Sequence, residues 1–199
     1  MKIPKFEKKM RKTIKKMSKL VGKRGLSNGM RSSLSHRLDH DRYQITPKDI
    51  YLRKVTKKKI VTVDGSGNTV YSRYGWQPSS DLPLHLSVFQ ARGDVNAVIH
   101  AHPPYLSALG MAVDKLHSGS LPDSLQVLGK TLEFDDSVID ATDIPVSLLN
   151  ALTNGNVVLM PGDGVLVVGR SLDHAFAQME QMEHDAKVYA IARSTGLVE

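Results

Sequence analysis

The sequence predicts one α/β domain in which a central sheet, mixed or antiparallel, carries helices on its faces. Three observations lead there. From residue 33 onward, short apolar runs of strand length recur between clusters of turn residues. Amphipathic stretches of helical period stand between and around those runs. The 199 residues are 41% apolar, enough for one real core and too short for several. No internal repeat or low-complexity linker divides the chain.

The first element is a helix. Ile3, Phe6, Met10, Ile14, Met17, Leu20 and Val21 recur at spacings of three and four, an apolar stripe with lysines filling the other positions, and Gly22 and Gly25 end it. Residues 1–24 hold 11 Lys/Arg and one acid, Glu7, whereas the remaining 175 hold 16 basic and 19 acidic residues. The formal +7 of the chain is therefore a mildly acidic body with a basic segment in front. Packing of the stripe on the core accounts for this helix first. A nucleic-acid or anionic-membrane surface is the less favoured alternative, because no interleaved aromatics support base stacking.

Residues 31–74 read as strands and turns. Ser33–Arg37 and Tyr43–Thr46 flank a polar turn, and Ile60–Val63 and Thr69–Ser72 flank Asp64-Gly65-Ser66-Gly67-Asn68, a hairpin signal. A helix follows over about 82–92, with Asp81 as N-cap, Pro83 in the first turn and Gly93 at the end. Val95–Ala101 is a buried strand, and Pro103-Pro104 opens a helix to about Val113. A strand is expected near 131–134, and Asp143 caps a helix over Ile144–Asn154 that Gly155 stops. Val157–Met160 and Val165–Val168 are strands around the turn Pro161-Gly162-Asp163-Gly164. The last helix, about 172–194, carries Ala175, Phe176, Met179, Met182, Ala186 and Tyr189 on one face.

Absences narrow the chemistry. Without a cysteine there is no disulfide, thiolate-bound metal or cysteine nucleophile. No apolar run approaches a membrane span, and the charged N-terminus lacks the apolar stretch of a secretory signal. A cytoplasmic protein is the expectation.

The segment richest in chemistry is Val98-Ile99-His100-Ala101-His102-Pro103-Pro104. Alternation along a strand puts residues i and i+2 on one face, so His100 and His102 project together where the prolines bend the chain away. Two imidazoles so placed can hold one divalent ion, and equally can be a satisfied polar pair. Read by itself, Asp163 is the Asp of an ordinary Asp-Gly hairpin turn.

Pro78-Ser79-Ser80-Asp81-Leu82-Pro83-Leu84-His85, followed by Gly93-Asp94-Val95-Asn96-Ala97-Val98-Ile99-His100-Ala101-His102-Pro103-Pro104-Tyr105, resembles the class II aldolase/adducin family. The likeness continues through Gly25–Arg37, Ile45-Thr46-Pro47 and Val157–Gly169, in the family's order and over nearly the whole chain. It implies a single α/β/α domain around a largely antiparallel sheet, assembled as a homotetramer. It also implies a divalent metal, zinc first, with manganese, cobalt or magnesium as alternatives. By this resemblance His100 and His102 are metal ligands. Asp163 takes the place of the third histidine, and Asp81 is the catalytic carboxylate that shuttles a proton. Substrate phosphate falls to Ser79, Ser80, Ser33, Thr46 and Lys48.

The sequence also departs from the family pattern. Ser32-Ser33 replaces a Gly-Asn pair and Lys48-Asp49 replaces small residues after Thr46-Pro47, and a proton donor from the family's C-terminal tyrosine tail is not expected. Tyr189 is expected to be packed, and Tyr105 lies near the histidines. The activity implied is retro-aldol cleavage of a small phosphorylated sugar, with the ion stabilising the enediolate. A pentulose-phosphate 4-epimerase would use the same cleavage, and decarboxylases and dehydratases share the fold. A non-catalytic, adducin-like interaction module is the alternative from another class.

Overall fold

The structure, a computed structural model, describes residues 4–111 and 146–196. In chain order the elements are α1 (Lys5–Lys23), β1 (Ser33–Arg37), β2 (Arg42–Ile45), β3 (Val61–Asp64), β4 (Thr69–Tyr71), α2 (Leu82–Ala91) and β5 (Ala97–Ala101). There follow α3 (Pro104–Met111), α4 (Val146–Asn154), β6 (Val157–Met160), β7 (Gly164–Gly169) and α5 (Leu172–Ser194). The strands form one seven-stranded sheet in the order β4-β3-β2-β1-β5-β7-β6, and every neighbouring pair is antiparallel. The expected strand near 131–134, the Asp143 cap and the end of α3 at Val113 fall outside the described residues.

Strand alternation divides the core in two. Leu34, Ala97, Ile99, Ala101, Val165 and Val167 face a layer made by α1, α3 and α5. Val61, Val63, Val98, Leu166 and Val168 face α2 and α4 through Phe89, Leu148 and Leu152. The result is a three-layer α/β/α domain. Its central strand, β5, is buried along all five residues, which explains why it reads as a continuous apolar run instead of an alternating one.

The local signals act as expected at most boundaries. Asp64 holds the β3–β4 turn by accepting from the Ser66 and Asn68 amides at 3.0 and 2.8 Å. Ser171 caps α5 by accepting from the His174 amide at 3.1 Å. Two expectations need correction at α1. The helix continues through Gly22 and stops ahead of Gly25, whose φ of 73° ends it. Its stripe is buried at Ile14, Met17 and Val21, but Phe6 is 54% exposed while Glu7 and Arg11 are buried. The reason is hydrogen bonding. Toward its N-terminus α1 crosses backbone with free acceptors, and Arg11 donates to the Ile60 carbonyl and to Thr62 Oγ1, while Glu7 accepts from Arg42 at 2.7 Å.

Helix α2 is pinned to the sheet by a polar contact inside an apolar layer. Ser33 and Ser35 lie on the same face of β1, and their hydroxyls reach the two ring nitrogens of His85, Nε2 at 2.8 Å and Nδ1 at 2.6 Å. Both nitrogens of a fully buried imidazole are thereby satisfied. Burial disfavours the cation and pushes the His85 pKa down to about 4.

This carries a pH dependence of stated sign. The unfolded chain takes up a proton at His85 near pH 6.5, and the folded protein does not until about 4. Stability is therefore expected to fall as the pH drops through that window, by up to about 3 kcal/mol from this group. Urea unfolding at a series of pH values checks it: the fall in unfolding free energy should shrink in His85→Asn.

Candidate metal centre

His100 is paired with Ser33 on one side of β5, and Ala101 with Val165 on the other, so the strand delivers its histidines near the middle of the sheet. His102 follows the last strand residue, where its amide donates to the Leu26 carbonyl at 3.2 Å. Pro103 and Pro104 then turn the chain into α3. The first amides of that helix, at Tyr105 and Leu106, donate to the Glu183 carboxylate of α5 at 3.1 and 2.9 Å. The stretch around and just after the histidines is thus anchored to the layer of α1 and α5 at two points.

Asp163 reaches the same place from the β6–β7 turn. Gly162 and Gly164 have φ values of 73° and 88°, left-handed backbone that favours glycine. A Cβ on Gly164 would stand 2.4 Å from the Ala101 carbonyl oxygen and 2.8 Å from His102 Cδ2. Only a residue without a side chain lets the turn close this tightly on β5.

The result is a compact donor cluster. One ligand atom from each of His100, His102 and Asp163 can be chosen so that all lie within 4.8 Å of one another. Asp163 Oδ2 is 3.8 Å from His100 Nε2, and Oδ1 is 3.8 Å from His102 Nε2. Both ring nitrogens of His102 are buried without a hydrogen-bond partner. A buried polar group left in that state is costly, and an ion beside Asp163 would satisfy one of them. Two imidazoles and a carboxylate also suit a zinc-class ion while leaving positions open for substrate. The residues fit a divalent metal.

His100 is held from two sides. Its Nδ1 lies 3.1 Å from Asp81 Oδ2 and its Nε2 lies 2.7 Å from the Asp163 carbonyl oxygen. Burial would lower its pKa, but the hydrogen bond and charge of Asp81, reinforced by Asp163, outweigh burial and raise it. A ligating nitrogen must be unprotonated, so proton and metal compete at this ring.

Asp81 corrects a sequence expectation. It occupies the N-cap position of α2, yet its side chain makes no capping bond. Instead Oδ2 accepts from Ser33 Oγ at 2.5 Å and from His100. Burial alone would raise its pKa, but the hydrogen bond and charge of His100, with the Ser33 hydroxyl, hold it well below the usual carboxylate range. The bonds also form one consistent line. Ser35 donates to His85 Nδ1, His85 Nε2–H donates to Ser33, Ser33 donates to Asp81, and His100 links Asp81 to the Asp163 carbonyl.

The remaining sequence candidates divide. Ser33 belongs to this line. Ser79 and Ser80 stand just ahead of α2, and Ser79 Oγ accepts from the Asp81 amide at 3.3 Å. Thr46 is fully buried and takes a structural part, its Oγ1 accepting from the Leu34 amide at 3.1 Å. Lys48 is tied by its amide to the Gln77 carbonyl, and its exposed side chain lines a separate surface cavity with Tyr74 and Trp76. Tyr189 is buried, as expected, and Tyr105 packs on the α5 side under Lys187.

Two contributors were missed. Arg31 Nη2 donates to Asp163 Oδ1 at 2.8 Å, and it borders a cavity of about 480 Å³ beside His102 together with Asn28 and Ser107. Arg31 precedes β1 without any motif of its own. His85 was legible only as one letter of a longer motif.

Known proteins with this architecture and motif order include enzymes. The chain is 28% identical over 171 residues to a 3-oxo-tetronate 4-phosphate decarboxylase of Haemophilus influenzae, covering 83% of this chain and 80% of that one. It is 27% identical over 175 residues to the L-fuculose phosphate aldolase of Escherichia coli K12, covering 83% and 75%. Among solved structures, an L-fuculose 1-phosphate aldolase superposes with a TM-score of 0.75 at 26% identity, over 94% of this chain and 87% of that one. The family of the Class II Aldolase and Adducin N-terminal domain matches residues 12–190. With nine-tenths of its length matched, the chain belongs to the class II aldolase and adducin family.

Proposed function

We propose that the protein is a divalent-metal-dependent lyase that cleaves a carbon–carbon bond in a small phosphorylated sugar. The observation that carries this reading is the convergence of His100, His102 and Asp163 within 4.8 Å, beside an ionised Asp81. His100, His102 and Asp163 would hold the ion, zinc first among zinc, manganese, cobalt and magnesium. When bound there, it would polarise a substrate carbonyl and offset the negative charge that develops on the oxygens during cleavage.

The chain's own residues supply the rest. His100 can ligate through Nε2 as a neutral imidazole while its Nδ1–H stays on Asp81, which fixes ring orientation and tautomer. Neutral His100 no longer contributes the charge that depresses Asp81. The carboxylate then becomes a better base, able to take the proton of the hydroxyl whose C–C bond breaks and to return one to the carbanion carbon. Arg31 balances the charge of Asp163. Ser79 and Ser80, ahead of α2, offer hydroxyls to the substrate phosphate where the helix amides and dipole favour an anion.

The decarboxylase relative supports a second reading on the same residues. Loss of CO₂ from a 3-oxo acid also leaves negative charge beside a polarised carbonyl and then needs one proton. A 4-epimerase would add only rotation of the aldehyde before the bond re-forms. Cytoplasmic location and a homotetramer complete the proposal, since a cavity of about 480 Å³ at the edge of one small domain gains enclosing walls from neighbours.

Three outcomes are expected. Metal analysis after dialysis should find one divalent ion per chain, lost in His100→Ala/His102→Ala; no binding even by the wild type would move the reading to an adducin-like interaction module. At saturating metal, Asp81→Asn should keep the wild-type metal content and lower kcat for retro-aldol cleavage about 100-fold or more, measured by aldehyde release. Asp163→His should bind zinc more tightly than the wild type in competition titrations, because a third imidazole replaces a carboxylate already paired with Arg31.

A further inference from the structure

Part of the basic content of α1 gathers at one groove, while Lys15, Lys16, Lys19 and Lys23 lie outside its lining. Lys8, Lys9 and Lys12 line one wall of a groove, and Lys57, Lys58 and Arg73, from the loop before β3 and the turn after β4, line the other. The space between them is about 760 Å³. Among the described residues, no acidic side chain lines it. Glu7, the acid of this stretch of α1, is 4% exposed and turned to Arg42.

The groove is preformed. Buried Arg11 spans it, donating to the Lys57 carbonyl at 3.2 Å and to the Ile60 carbonyl, and its guanidinium lies over the Tyr71 ring at 4.9 Å. Helix and loop are therefore fastened together. Phe6, 54% exposed, presents an apolar ring inside the cationic rim. This ring, which the periodic stripe assigned to the core, is left out of it.

We infer that this groove binds a single-stranded nucleic acid, with phosphates along the lysine walls and a base against Phe6. Positions one helical turn apart repeat about every 5.4 Å, so the α1 wall offers a repeating charge to a repeating anion. Cationic grooves that track a backbone and offer an aromatic face are the general solution for single strands. Cationic walls on both sides of the groove suit a narrow polyanion lying between them better than a flat anionic surface. The groove lies at the β4 edge of the sheet, with β3, β2 and β1 between it and β5, so it does not depend on the proposed lyase site.

Fluorescence anisotropy of the full chain with a labelled oligo(U) of about 12 nucleotides tests this. Binding is expected to weaken with salt, with a log–log slope of about −0.7 per phosphate neutralised. Lys57→Ala/Lys58→Ala should weaken it about tenfold, and Phe6→Ala several-fold. Lys19→Ala/Lys23→Ala, which removes the same charge from α1 outside the groove, should change it less than about twofold. Equal losses in the two lysine pairs would overturn the groove in favour of bulk charge. Tighter binding to phosphatidylserine vesicles than to the oligonucleotide would overturn the nucleic acid in favour of a membrane. Displacement by inorganic tripolyphosphate, at equal phosphate concentration, as effective as by unlabelled oligonucleotide would overturn it in favour of a small anion.

Discussion

The pairing of Asp81 with His100 is the interaction on which the centre of this molecule depends. A partly buried carboxylate at the start of α2 would be costly without a partner and hydrogen bonds, and His100, with the Ser33 hydroxyl, supplies them. The partner stands on β5, so the pair locks a helix of one outer layer to the middle of the sheet. Because His100 reaches on to the Asp163 carbonyl, the β6–β7 turn is drawn into the same assembly. Remove His100 alone, and the Asp81 carboxylate loses the partner that compensates it. The cost would fall on fold and donor cluster together.

Much of this was legible in the sequence, for physical reasons that can be named. The period-two and period-3.6 patterns located the strands and most helices, because burial on one face is what those periods record. The i, i+2 spacing of His100 and His102 placed both at one strand end. Two kinds of feature were not legible. The side-chain direction of Asp81 was misread as a cap, since a local rule cannot see a hydroxyl and an imidazole brought in from β1 and β5. The burial of Glu7 and Arg11 in place of Phe6 was equally hidden. Arg11 is held by the Ile60 carbonyl and Thr62 hydroxyl and Glu7 by Arg42, all partners distant in the chain.

The family's fold is present here, and the polar residues singled out in the sequence make specific contacts within it. Arg31 lies against Asp163 at the β6–β7 turn, so the negative charge of that carboxylate has a compensating positive one. Thr46 and Ser33 are committed to the backbone and to Asp81. The polar surface facing the cavity beside His102 therefore comes largely from Arg31, Asn28 and Ser107, a set that reads differently from a uniform phosphate cradle.

The two glycines around Asp163 separate two properties that are often entangled. They set the path of the turn through left-handed backbone and the closeness of Gly164 to Ala101, while the Asp163 side chain reaches outward to Arg31. Position 163 is then a socket. A change of side chain there would alter the donor atom offered beside His100 and His102 while the glycines that shape the turn stay in place.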